Sequence, residues 1–195
     1  MDNVKRALNY LAASIGCILV SVGLAFAAGF IDLSKGDLIY TLLRVSEGVS
    51  LLASIFLLVG CLFGKFGKNK NFARAFWINI ISIILAIAVT IIGYAKVEVV
   101  WAVVTLISLN TLVQVGTYFF VIFGCREAVP AVSKRAIVTA VFLLLGMALT
   151  GAFRCMTDWD SDPAKVLGGF GGILTLIGTI MFIVLVFKAR KKYSK

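Results

Sequence analysis

The stretch VLGGFGGILTLIGTIMFIVLVF, residues 166–187, runs for 22 residues without a charge and is followed at once by KARKKYSK, residues 188–195. About 20 mostly apolar residues are what an α-helix needs to cross a bilayer, so the first part reads as a transmembrane helix. The basic run behind it reads as an anchor on one face of the membrane. Upstream the pattern repeats, with apolar stretches near 8–31, 38–63, 76–95, 99–124 and 136–153. The longest gaps, near 64–75, 125–135 and 154–165, are each about a dozen residues, an ordinary loop length that leaves no room for a soluble domain. The sequence therefore predicts an all-α integral membrane protein, a single domain over 1–195 built from six transmembrane helices.

Composition agrees: 61% of residues are apolar and 14% charged, with mean hydropathy +1.05. Soluble domains average roughly 45–50% apolar and about 25% charged residues. A soluble enzyme, a disordered chain and a secreted disulfide scaffold are excluded. The first span needs a check, because Lys5 and Arg6 precede an apolar run ending in Ala25-Phe26-Ala27, a small-residue pattern like a signal cleavage site. The run is longer than the 7–15 residues of a signal peptide core, and it is read as an uncleaved first helix.

Basic residues set the orientation. Lys5, Arg6, the 65–74 group, Arg126, Lys134, Arg135 and the tail after Phe187 all fall on one side, fourteen of the nineteen in the chain. Only Asp2 and Glu127 oppose them there, giving +12 on that side, while five basic and seven acidic residues elsewhere give −2. Both termini are expected in the cytoplasm of a cell-membrane protein. The +10 net charge is then a topology signal that also attracts anionic lipid, at about 1 kcal/mol per basic residue near the surface. A nucleic-acid partner loses its support. The helices are expected as three consecutive hairpins, each with a basic residue before its first helix and a basic cluster after its second.

The chain has no histidine, which removes bis-histidine haem ligation, His-Glu-x-x-His zinc sites and imidazole-activated nucleophiles. Cys17, Cys61, Cys125 and Cys155 form no C-x-x-C pair and read as reduced thiols. No enzyme activity, cofactor or metal site is expected. The outer segment Asp158-Trp159-Asp160-Ser161-Asp162-Pro163 alternates carboxylates like the start of a calcium loop, but has Pro163 and Gly169 where that loop needs glycine and glutamate. Asp162 or Ser161 is expected to cap the sixth helix, with Pro163 in its first turn.

Ionisable and amide side chains at bilayer depth are the main functional signal, since each is costly unless paired or wetted. Arg44 and Glu47 lie three apart on the second helix and share a face. Asn110, Gln114 and Thr117 form a stripe at i, i+4 and i+7 on the fourth. These five residues are the candidate solute path or buried polar network, expected between helices two and four, while Asn79 reads as structural. Gly16 and Gly23 on the first helix, with Gly168 and Gly172 on the sixth, are expected to mark close helix packing within the chain or against a second copy or another partner. Two functions are consistent with this pattern: a transporter, channel or solute-binding subunit for a small polar solute, and a non-catalytic scaffold or accessory subunit of a larger membrane complex.

Overall fold

The computed structural model describes residues 2–28, 36–94, 100–154 and 162–193. They form six helices: α1 (Asn3–Ala28), α2 (Gly36–Phe66), α3 (Lys70–Tyr94), α4 (Val100–Ala128), α5 (Ser133–Arg154) and α6 (Asp162–Tyr193), with one turn of 3-10 helix, Pro130–Val132, leading into α5. The architecture is that of a multi-pass helical membrane protein. Among the described residues, five stretches are long and apolar enough to cross a membrane: Gly48–Phe66, Lys70–Ala88, Ser108–Ala128, Pro130–Ala152 and Gly168–Tyr193. At 26 residues α1 also has the length, and its sequence from Leu8 to Ala25 carries no charge.

Between α2 and α3 the helices run beyond the apolar spans. The expected gap at 64–75 shrinks to residues 67–69, because α2 continues through Gly64, Lys65 and Phe66 and α3 begins at Lys70. A helix ends where its backbone is capped, and polarity alone does not stop it. Here the cap is a Schellman turn: the Asn69 amide donates to the Gly64 carbonyl (3.1 Å) and the Lys68 amide to the Lys65 carbonyl (2.9 Å), with Lys68 left-handed at φ 62°. Asn69 also starts α3, its side-chain oxygen accepting the Phe72 amide at 3.0 Å as an N-cap. At the chain start, Asp2 caps α1 by accepting the Val4 amide at 2.9 Å. Pro163 falls in the first turn of α6 as expected, a place where its missing N–H is harmless.

Each helix packs on its neighbour in sequence, most extensively α1 on α2, α5 on α6 and α3 on α4, and α1–α6 contacts close the ring. α4 also reaches α6. The start of α1, the ends of α2 and α4, the start of α3 and the end of α6 meet at one end of the bundle, tied by Asn69 to Gly124, Asn71 to Glu127 and Tyr193 to Asp2. The densest core lies in this half, with Leu8, Leu11, Phe72, Val121, Ile122 and Leu185 fully enclosed. Phe72 is its wedge, seated against Gly64 and Gly124, where an added methyl would strike the ring.

Among the described residues, the glycines in closest contact between α5 and α6 are others than Gly172. Gly16, Gly23 and Gly172 have nothing within 4 Å of where a Cβ would sit, and Gly168 is half-buried. Close approach of α5 and α6 uses Gly146, Gly171 and Gly178 instead, whose added methyl would meet the backbone of Leu174 and Thr175, of Thr150 and of Leu143 respectively. Gly171 and Gly178 are seven apart and share one face, while Gly172 is turned about 100° from Gly171. Within the chain the α5–α6 seam therefore uses Gly171, one residue before Gly172.

Candidate functional site

The stripe on α4 does not act as one surface. Asn110 turns toward α3, its side-chain oxygen accepting from the Ser82 hydroxyl at 3.3 Å. Thr117 is buried and its hydroxyl donates back to the Val113 carbonyl at 3.0 Å, so it offers no free donor. Gln114 instead lines a cavity of about 190 Å³ at mid-bundle. α4 meets α3, α5 and α6 along its length, so residues that share a face by spacing reach different neighbours.

The cavity lies between α1, α4, α5 and α6. Its apolar wall is built from Ile15, Leu19, Leu143, Met147, Phe182 and Ile183, and its polar groups are Gln114, Tyr118, Thr175 and Thr179. The Tyr118 ring is held edge-on against Phe182, centroids 5.6 Å apart at 85°. Thr175 donates to the Gly171 carbonyl (2.8 Å) and Thr179 to the Thr175 carbonyl (2.7 Å), which engages their hydroxyl hydrogens within α6 and leaves oxygen lone pairs toward the cavity. Among the described residues, neither the Gln114 amide nor the Tyr118 hydroxyl has a hydrogen-bond partner. Both groups stand one helical turn apart on the same face, beside space that protein atoms do not fill.

The expected path between helices two and four falls in part outside the described residues, since the Arg44 and Glu47 side chains belong to it. No described α2 residue lines the cavity, and α2 and α4 are not among the extensively packed helix pairs. α6 supplies two threonines, Thr175 and Thr179. The Arg44 and Glu47 side chains lie outside the described residues, as do Cys155 and the 158–161 part of the carboxylate loop. Tyr118 was missed although Gln114-x-x-x-Tyr118 is a readable i, i+4 pair, because a tyrosine in a span also reads as an interfacial aromatic.

One further polar cluster was not anticipated. Ser21 of α1 meets the Ser46 hydroxyl at 2.9 Å and the Ser50 hydroxyl at 2.6 Å, Ser46 donates to the Ser21 carbonyl at 2.9 Å, and Ser14 donates to the Ala53 carbonyl at 2.8 Å. The signal was present: Ser14 and Ser21 repeat at seven, Ser46 and Ser50 at four. This ladder satisfies itself and explains why α1 and α2 pack so closely. Asn79 is buried on α3, with its Nδ2 unpartnered among the described residues.

Comparison with protein-family models, with curated proteins and with solved structures finds no match to this chain.

Proposed function

We propose that this chain is a non-catalytic membrane protein that binds a small solute in the cavity between α1, α4, α5 and α6, as a transporter or as a solute-capturing subunit. The observation that carries this reading is the Gln114–Tyr118 pair, two hydrogen-bonding groups at mid-bundle facing open space without protein partners. A polar group without a partner is costly at bilayer depth, so such a pair, partly exposed to the cavity, implies water or a ligand. We read the helices as three consecutive hairpins with the basic end in the cytoplasm. In support, Arg6 lies over Phe63, Lys65 over Trp77, Arg74 over Phe120 and Arg126 over Phe123, at 4.7 to 5.7 Å from the ring centroids. Cations held on an aromatic belt suit an interface rich in anionic lipid.

A second reading, a scaffold subunit, is favoured by the open outward positions of Gly16, Gly23 and Gly172. Purification in mild detergent with mass spectrometry of co-purifying molecules separates the two. The solute reading expects a small molecule that is lost from Leu143→Trp, which fills the cavity. A stoichiometric protein partner that survives Leu143→Trp and is lost on Gly16→Leu supports the scaffold instead.

A further inference from the structure

Resting on the reading of the cavity as a solute site, we propose that its ligand is a small neutral amphiphile, a hydroxyl or primary amide on a compact apolar body, taken up sideways from the bilayer.

The walls dictate neutrality. Among the described lining residues none carries a charge, and a bare ion moved into an uncharged, largely apolar site loses its hydration with nothing to replace it. The polar groups dictate the head. Gln114 both donates and accepts, Tyr118 does the same one turn away, and the engaged hydroxyls of Thr175 and Thr179 add acceptors only. A single hydroxyl or amide that donates and accepts satisfies this set, whereas a hydrocarbon leaves the Gln114 amide bare. The volume dictates the body: an apolar cavity of about 150 Å³ holds benzene, so about 190 Å³ admits a ring or short chain with a polar substituent.

Access is lateral. Leu19 lines the cavity and yet is 51% exposed. It sits about 24 Å along α1, at hydrocarbon depth if α1 crosses the membrane. Gly16 and Gly23, three before and four after it on the same face, have nothing within 4 Å of a would-be Cβ. Around Leu19 the surface is therefore bare, and the glycines expected to hold helices together leave a mouth uncovered.

The test uses the full chain in mild detergent and measures saturable shifts of the unfolding midpoint with phenol, benzene, benzoate and benzylammonium, all of one ring. Phenol is expected to bind about tenfold more tightly than benzene, the worth of one to two net hydrogen bonds, with no saturable response to either ion. Gln114→Leu with Tyr118→Phe should bring phenol down to benzene. Equal binding of phenol and benzene to the wild type, or a preference for either ion, overturns the ligand class while leaving a binding cavity in place. No saturable binding by any of the four, with Leu143→Trp indistinguishable from wild type, overturns the cavity reading itself. The wild-type series decides the ligand class even where the double variant fails to fold. For the mouth, Leu19→Trp in vesicles of dibrominated phosphatidylcholine should be quenched well beyond the three native tryptophans. Lack of added quenching overturns lateral access.

Discussion

Asn69 donates its side-chain amide to the backbone carbonyl of Gly124 at 2.9 Å, a bond between residues 55 apart. Through its other atoms the same residue closes the end of α2 and caps the start of α3. One small buried side chain thus fixes three helices at the end of the bundle where the core is densest, and its loss should be felt beyond the turn.

Asn69→Ala removes the α3 cap and the link to α4 together, and is expected to cost about 2 kcal/mol. Asn69→Asp keeps the acceptor for the Phe72 amide and loses the donor to Gly124, so it should fall between the two. Denaturant unfolding in detergent micelles checks the order; Asp no better than Ala would assign the whole effect to the α4 link.

Lys68 occupies the left-handed position that the Schellman turn requires, at φ 62°. Glycine has no Cβ penalty there, so Lys68→Gly is expected to raise stability by up to about 1 kcal/mol despite the added freedom of the unfolded chain. A midpoint that drops instead would show that the lysine side chain contributes more than its backbone strain costs.

Gly124→Ala would place a methyl 2.6 Å from the Phe72 ring. Overpacking of this kind costs about 1–3 kcal/mol. Trimming the ring should restore room, so Phe72→Leu is expected to be less harmful in the Gly124→Ala background than in the wild type. Additive losses in a double-mutant cycle would count against the wedge.

The two glycine faces of α6 should respond oppositely. Gly178→Ala presses on the Leu143 backbone and is expected at or beyond the upper end of that same range, roughly 3 kcal/mol. Gly172→Ala meets open space and should change stability by no more than about 0.5 kcal/mol, unless a partner covers that face. Measuring both in detergent and again in membranes shows whether a second chain packs on Gly172.

Asp2 accepts the Tyr193 hydroxyl, joining the two ends of the described chain, and that bond, followed by the one from the Val4 amide, holds its carboxyl below the usual value. A group whose pKa is depressed on folding adds stability above its unfolded pKa, about 3.9, and loses it as pH falls through the folded value. The unfolding midpoint of wild type should therefore exceed that of Asp2→Asn above the unfolded pKa, with the margin lost as pH falls through the lower folded value. Tyr193→Phe should shrink the difference.

Hydropathy alone supplied the helix count and the approximate centre of every helix, because a run of apolar residues long enough to cross a bilayer is a property of one segment and needs no partner. The ends were less legible: Lys65 and Lys70 look like loop, yet capping by Asn69 carries α2 and α3 almost to meeting. Spacing on a single helix gives which residues share a face. It does not give which neighbour that face meets, since this depends on how each helix is rotated against the others. Asn110, Gln114 and Thr117 thus form one stripe in sequence and have three different surroundings in the bundle. For the same reason Gly171 and Gly178 close the α5–α6 seam while Gly172 faces outward. The sequence by itself determined a multi-span helical chain with its basic residues at the helix ends. Only the packing of α1, α4, α5 and α6 decided that Gln114 and Tyr118 would share a cavity, because neither helix rotation nor unfilled volume is written in the periodicity of any one segment.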